Sequence, residues 1–332
     1  MVELNRRRTS AAPGPERARM LREVPSFPAI YAAALRPRPG MRRSTELPGT
    51  ALGVSSVRID AQRAAAFDHL MGGPATELVH PGVLHVLAFP VSLALMARGD
   101  FPFPLLGLVH TANQMLQHRP VRVGELVDVE CRTRGLRPHR RGSTFEAVST
   151  ISSGGEIIAT DVSTYLAKGR RSGTPGGDAA SAAAGPGAAR PSGTSPAAGP
   201  GEEPGERAPF TAPIPTGRWR LGADTGRRYA EVSGDANPIH MSALSARAFG
   251  FPRAIAHGMY TASRAFTESR ADLTRPLRWD VEFGAPVTLP GTVLVRYEED
   301  REAGSTRGIG WRPATGDRPA RRCFTVDVTA LR

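Results

Sequence analysis

Lysine is almost absent from this chain of 332 residues, because Lys168 is the single lysine among 43 basic residues. Together with 36 glycines and 30 prolines, this arginine usage indicates a coding bias and is weak evidence for a nucleic-acid partner. The formal charge of +12 is concentrated before residue 45, and no recognition motif accompanies it. We therefore interpret residues 1–49 as a basic, partly disordered extension and expect no nucleic-acid partner.

Cysteine is also scarce. Cys131 and Cys323 lie in alternating apolar segments, so we expect buried thiols in a reducing compartment rather than a disulfide. No apolar run reaches the roughly 18 residues of a membrane span. The basic N-terminus lacks the apolar stretch of a secretory signal. These absences favour a cytoplasmic protein without a membrane span.

Large apolar residues are missing from residues 169–209, which contain no Val, Ile, Leu, Met or aromatic residue. Such a segment cannot bury enough apolar surface to offset its ordering entropy. We interpret it as a disordered Gly/Ala/Pro/Ser-rich linker. It separates two domains of ordinary size, residues 50–168 and residues 210–332.

Each of the two domains predicts one central helix followed by antiparallel strands. Residues 81–97 are apolar on nearly every face, which is typical of a buried helix, and Pro90 should kink or interrupt it. The second central helix is predicted at 255–267. Alternating or β-branched segments predict strands at 54–59, 106–116, 126–134, 144–152, 156–166, 277–283, 292–299, 306–312 and 320–329.

The two domains resemble each other as a distant internal repeat. Residues 114–124 contain a strand, Pro120 and a turn, and residues 280–291 contain the same order around Pro286. Upstream, we align Leu84-His85-Val86 with Ala256-His257-Gly258. The repeat predicts that the halves pack side by side as a pseudo-dimer within one chain, and a further homodimer stays open.

One short stretch concentrates chemical groups. Asp235, Asn237 and His240 fall within six residues, and Pro238 disfavours helix at the residue before it. A bent loop can therefore aim the carboxylate and the imidazole at one point, where they would act as a general acid/base pair on a shared water. Gly258 opens the second central helix, and free N–H groups at a helix start can hold a developing oxyanion.

The run Ser233-Gly-Asp-Ala-Asn-Pro-Ile-His240, followed by Ala256-His-Gly-Met259, closely resembles the motif of the MaoC-like (R)-specific enoyl-CoA hydratases. The resemblance covers about 210–330, and a weaker one covers 50–168, where many relatives carry a degenerate second domain. It implies an α+β double hotdog, in which each antiparallel sheet wraps around a central helix. It also implies that Asp235 and His240 are catalytic and that Gly258 binds the thioester carbonyl.

The remaining site assignments are supporting roles. Asn237 matches a position that braces the site, although a purely turn-forming role is equally open. Ser233 is expected to support the loop, and His257 to be a packed, hydrogen-bonded residue rather than a base. We expect neither a metal nor a cofactor, since the first domain's His80 and His85 lack further metal-type partners.

The first domain lacks the catalytic loop, so we expect it to be structural or to shape a groove for the acyl chain. Its turn Arg137-Pro-His-Arg-Arg141 could meet CoA phosphates, and a solvated turn is the plainer alternative.

The function implied by the resemblance is a hydro-lyase that adds water to trans-2-enoyl thioesters to give (R)-3-hydroxyacyl thioesters, or the reverse. The thioester would be an acyl-CoA or an acyl-carrier-protein thioester. One alternative is a hotdog thioesterase, which attacks the carbonyl carbon. Another is a non-catalytic acyl-binding or assembly subunit, which would be favoured if Asp235 and His240 diverge in space.

Overall fold

The computed structural model describes residues 18–35, 44–169 and 210–331. Apart from Gly169, the segment interpreted as a linker lies outside the described residues. The helices are α1 Phe27–Leu35, α2 Ala61–Met71, α3 Pro81–Met96, α4 Thr225–Ser233, α5 Pro238–Met241, α6 Ala243–Ala248 and α7 Gly258–Ser269. The strands are β1 Arg19–Leu21, β2 Leu52–Arg58, β3 Leu108–Gln117, β4 Leu126–His139, β5 Gly142–Ser153, β6 Glu156–Lys168, β7 Gly217–Leu221, β8 Leu277–Phe283, β9 Gly291–Asp300, β10 Ser305–Arg312 and β11 Arg321–Ala330.

These strands form one sheet in the order β1-β2-β4-β5-β6-β3-β8-β11-β10-β9-β7. The order is symmetric about the boundary between β3 and β8, with five antiparallel strands on each side and β1 added in parallel at one edge. The long helix α3 packs on one half of the sheet and α7 on the other. The predicted α+β double hotdog is confirmed, with the refinement that its two sheets are joined into one.

The join between the halves lies on a pseudo-twofold axis. Strands β3 and β8 pair antiparallel, with Gln114 opposite Asp280. The Gln114 side-chain amide donates a hydrogen bond of 2.7 Å to the Asp280 carboxylate. In the internal repeat, Gln114 and Asp280 are also equivalent positions, six residues before Pro120 and Pro286. The axis therefore passes through this pair, and the two halves pack side by side.

Matching backbone contacts fix where each central helix begins. The N–H of Val79 donates to the carbonyl of Val121 at 2.8 Å, and the N–H of Ala256 donates to the carbonyl of Val287 at 2.8 Å. The valines that accept these bonds directly follow the two prolines of the repeat. Val79 of the first half is therefore equivalent to Ala256 of the second.

This register corrects the alignment of the helix starts. His80 and His257 are both N-cap residues of a central helix, with nearly identical extended backbone angles. The alignment of His85 with His257 is therefore wrong by five residues, because the segment from the helix start to the repeat proline is longer in the first half, from His80 to Pro120, than in the second, from His257 to Pro286. Pro81 stands where the second half has Gly258, and proline has no N–H to offer an oxyanion.

Helix α3 is buried over most of its length, as its composition predicts. Pro90 lies inside the helix, which does not restart there. Strands β1 and β7 were not predicted, since each has five residues or fewer and depends on a distant partner strand. No helix in the described ranges is long and apolar enough to cross a membrane.

The two cysteines are free and buried, as expected. Burial raises the pKa of Cys131 to about 12 and that of Cys323 to about 11, so both thiols stay protonated.

Candidate functional site

The loop between α4 and α5 places the carboxylate of Asp235. Helix α4 ends at Gly234, whose φ of 80° is the left-handed conformation that favours glycine. The N–H of Asp235 then donates to the Ser233 hydroxyl at 3.1 Å, and its Oδ1 accepts from the N–H of Asn237 at 3.2 Å. The Asn237 side chain caps α5 by accepting from Ile239 N at 3.3 Å. Asn237 is thus seen in the turn-forming role that the sequence left open.

His240 lies on α5 with a defined tautomer. Its Nδ1 is 2.7 Å from the carbonyl oxygen of Ile255, which can only accept, so Nδ1 carries the proton and Nε2 keeps its lone pair. Burial lowers the pKa of His240, opposed in part by the Asp235 carboxylate. The imidazole is therefore neutral near pH 7 and can accept a proton at Nε2.

His257 fastens the loop to the start of α7. Its ring stacks on His240 with centroids 3.6 Å apart, and its Nε2 donates to the backbone carbonyl of Asp235 at 3.0 Å. Burial and the neighbouring His240 hold the pKa of His257 well below its usual range. This geometry agrees with a packed, hydrogen-bonded residue.

Gly258 is the first residue of α7, where backbone N–H groups have no partner within the helix. A Cβ at this position would lie 3.0 Å from Cε1 of Phe283, so a side chain would displace that ring. Close packing and an available N–H thus coincide at this glycine.

The site also uses residues that the sequence did not indicate. The Tyr31 hydroxyl on α1 donates to Asp235 Oδ1 at 2.8 Å. Arg63 on α2 donates to the carbonyls of Val232 and Ser233 at 2.6 and 2.8 Å, which satisfies backbone acceptors at the buried end of α4. Neither residue belongs to a local motif, and each lies more than 160 positions from its partner. The contact between α1 and the loop therefore had no signal in the sequence.

The pair opens into a cavity of about 1050 Å³ that both halves line. The second half contributes the catalytic candidates and the start of α7, and the first half contributes α3, the ends of β3 and β6, and the turn between β4 and β5. The basic residues of that turn and of the end of β6 on the cavity wall are His139, Arg140, Arg141 and Lys168. The basic turn singled out from the sequence therefore borders the same cavity as Asp235.

Asp235, His240 and His257 are the described residues whose donor atoms are close enough to hold a metal ion, all within 4.8 Å of one another. His80 and His85 are in no such group within the described ranges. Hydrogen bonds to the Asp235 and Ile255 carbonyls already engage one ring nitrogen of each site histidine. The expectation of no metal and no cofactor stays a prediction.

Comparisons with known proteins agree with this fold. The family described as "MaoC like domain" matches residues 198–309. The 3-hydroxyacyl-thioester dehydratase X of Mycobacterium tuberculosis (strain ATCC 25618 / H37Rv) is 33% identical over 266 residues, covering 79% of this chain and 85% of the relative.

Solved structures of related proteins also resemble this chain in tertiary structure. The crystal structure of HtdX from Mycobacterium tuberculosis superposes with a TM-score of 0.65 at 29% identity, covering 85% of this chain and all of that one. A MaoC-like dehydratase from Phytophthora capsici gives a TM-score of 0.57 at 15% identity, covering 85% of this chain and 95% of that one, and shows the fold alone. The class defined by the fold is the double hotdog. Within that class, the chain belongs to the MaoC-like dehydratase family.

Proposed function

We propose that this protein is a 3-hydroxyacyl-thioester dehydratase, which interconverts (R)-3-hydroxyacyl and trans-2-enoyl thioesters with loss or gain of water. The observation that carries the proposal is the convergence of Asp235 and His240. A carboxylate oxygen and a ring nitrogen lie within 4.8 Å of each other at the cavity wall, a span that one water molecule can bridge with two hydrogen bonds.

In the hydration direction, the oxygen of the bridged water attacks Cβ of the enoyl thioester. The pair accepts one proton from this water and returns one proton to Cα, so the proton count of the enzyme is restored. Negative charge develops on the thioester oxygen as the enolate forms. The N–H of Gly258, at the positive end of α7, would stabilise that charge. Dehydration is the same path in reverse.

Supporting residues keep the carboxylate and imidazole in place. Tyr31 and the N–H of Asn237 hold Oδ1 of Asp235, and Ser233 holds its backbone. The Ile255 carbonyl holds the His240 ring in the tautomer that leaves Nε2 available. The non-catalytic alternative required these two side chains to diverge, so their convergence argues against it.

The first half completes the cavity, and we propose a structural and acyl-lining role for it. Pro81 stands at the position equivalent to Gly258 and has no N–H to offer a thioester oxygen. We therefore expect catalysis in the second half only. The domain division would be an extension at 1–49, a degenerate hotdog at 50–168, a linker at 169–209 and the catalytic hotdog at 210–332. The basic turn around Arg140 would meet the phosphates of CoA or of a carrier protein's phosphopantetheine arm.

The test is an assay of crotonyl-CoA hydration. The reaction is monitored by the loss of enoyl absorbance, and the chirality of the product is then determined. Asp235→Asn and His240→Gln are each expected to lower kcat by two or more orders of magnitude, roughly the scale of general acid–base catalysis. Exposed residues outside the cavity supply matched controls, Asp272→Asn and His69→Gln. Near-normal turnover in either site variant would remove the assignment. Release of free CoA without hydration would instead identify a thioesterase.

A further inference from the structure

The first half presents a polar wall to the cavity, formed by His85 on α3, His110 on β3 and Tyr165 on β6. None of these side chains takes part in the mechanism proposed above. The rings are stacked in a row: His85 and His110 have centroids 6.1 Å apart with planes at 9°, and His110 and Tyr165 are 4.9 Å apart at 22°. The polar wall is thus an ordered surface rather than a set of isolated residues.

A buried hydrogen-bond network holds the polar wall from behind. His85 Nδ1 donates to Asp161 at 2.7 Å, and the same carboxylate accepts from the Asn113 amide at 2.7 Å. Ser163 donates to the Asn113 carbonyl at 2.8 Å. All four side chains are buried. Buried polar groups destabilise a protein mainly when they lack hydrogen-bond partners. The groups of this network have partners, so their burial costs little free energy, and the network fixes the position of His85.

An irregularity in β3 orients the next member. The pairing of β3 with β6 shifts register between His110 and Ala112, whereas Asn113 and Met115 continue the buried face of the strand. A bulge of this kind changes the side to which the preceding residue points, and it turns His110 toward the cavity.

Two polar atoms of the wall, Nε2 of His110 and the hydroxyl oxygen of Tyr165, have no hydrogen-bond partner among the residues that the structure describes. Both atoms are buried, and buried polar atoms in proteins nearly always have a partner. Burial lowers the pKa of His110 to about 3, so its ring is neutral and offers one donor and one acceptor. Burial also raises the pKa of Tyr165, which therefore remains a hydroxyl donor. A plain hydrocarbon tail would leave these groups unsatisfied.

Phe283 connects the polar wall to the reacting end of the cavity. Its ring centroid lies 5.1 Å from that of His110, and its edge lies 3.0 Å from the position of a Cβ on Gly258. The wall is therefore about one aromatic ring away from the start of α7. An acyl chain whose thioester carbonyl lies at Gly258 would reach the wall with carbons beyond Cβ.

We propose that the polar wall is a subsite for an oxygen substituent on the acyl chain, a hydroxyl or a keto group carried several carbons beyond the reacting double bond. The inference rests on the proposed function, because it takes the thioester end to be bound at Gly258. It narrows the substrate class from acyl thioesters in general to those with an oxygenated tail. Sites built to hydrogen-bond a substrate group discriminate strongly against the analogue that lacks it.

The experiment compares kcat/KM of the full-length protein for trans-2-octenoyl-CoA and for the same thioester with one hydroxyl or keto oxygen at carbon 5, 6 or 7. At least one oxygenated substrate should be preferred by about tenfold or more, the contribution of roughly one hydrogen bond. Tyr165→Phe and His110→Phe should each reduce this ratio severalfold. Tyr165→Phe keeps the ring and removes only the unpartnered hydroxyl, so its melting temperature should match the wild type. His110→Phe also removes Nδ1, so its melting temperature is measured to separate a folding defect from loss of the subsite.

Tyr297→Phe is the control, because it removes a tyrosine hydroxyl that donates to Glu268 outside the cavity wall. It should keep the wild-type ratio. Equal rates on plain and oxygenated chains at every carbon would overturn the subsite, as would variants that slow both substrates by the same factor. Crotonyl-CoA is measured alongside: failure of the wild type to hydrate it would overturn the proposed function itself.

Discussion

Tyr31 is the contact that most directly tests how the site is assembled. Its hydroxyl donates to Oδ1 of Asp235 at 2.8 Å from a helix 204 residues earlier in the chain. Tyr31→Phe removes this one bond and keeps the ring, which packs 6.4 Å from Phe27 between centroids. The Asp235 carboxylate would keep its hydrogen bond from the N–H of Asn237. It would lose the hydrogen bond from Tyr31, the only side chain among the described residues that donates one to it.

The magnitude follows from the type of bond. A hydrogen bond to an ionised group contributes about 1.5–3 kcal/mol when its environment is partly shielded from water, and Tyr31 is half-buried. If that energy holds Asp235 in its reactive position, kcat should fall about 10- to 100-fold, at about 1.4 kcal/mol per factor of ten. KM should change little, because Tyr31 orients a catalytic group rather than the thioester.

The assay is steady-state hydration of crotonyl-CoA by four proteins: wild type, Tyr31→Phe, Asp235→Asn and the double variant. If the tyrosine acts through the aspartate, the double variant should be no slower than Asp235→Asn. Tyr297→Phe, which removes a comparable bond to Glu268 of 3.0 Å, should retain the wild-type rate. A Tyr31→Phe enzyme within twofold of wild type, or losses that simply multiply in the double variant, would refute the reasoning.

Three further predictions concern packing, pH and the interface. Gly258→Ala should lower stability by about 1–3 kcal/mol and slow hydration, since its Cβ would overlap Phe283; unchanged urea midpoint and rate would contradict this. Burial lowers the pKa of His80 and of His110 to about 3, so as the pH falls below the usual 6.5 only the unfolded chain binds these two protons. The free energy of unfolding should therefore be highest above pH 6.5 and should decline toward pH 3 by roughly 1.4 kcal/mol per histidine per pH unit. A free energy of unfolding, measured with denaturant, that stays constant between pH 7 and 5 would refute this prediction. The fragment 209–332 alone should be insoluble or self-associate, since it exposes the β8 edge that pairs with β3; a soluble monomer with full activity on size-exclusion and enoyl assay would exclude an essential interface.

Local sequence determined the elements that depend on near neighbours. The all-round apolar character of residues 81–97 predicted the buried helix α3, and the alternation at 277–283 predicted β8 with the bounds observed. The bend of the Asp235–His240 loop was also predictable from the sequence, because Gly234, Asn237 and Pro238 each constrain the backbone of neighbouring residues. Such constraints act within one or two turns, so they appear in the sequence wherever they operate.

The start of the first central helix could not be located from the sequence repeat. The prolines of the repeat were aligned correctly, but the segment between the helix start and the proline differs in length between the halves. The similar tripeptides around His85 and His257 were therefore matched in error. Only the paired backbone bonds to Val121 and Val287 identified His80 as the equivalent N-cap.

Tertiary structure alone decided how distant segments complete the site. Strand β3 meets β8 across 166 residues, at Gln114 and Asp280. Helix α1 brings Tyr31 to Asp235, and Arg63 of α2 caps the end of α4. The sequence around each of these residues is ordinary, because a side chain's partner is selected by the shape of the assembled sheet and helices. Contacts between segments so far apart leave no periodicity in the chain, so they become visible only once both halves are folded against each other.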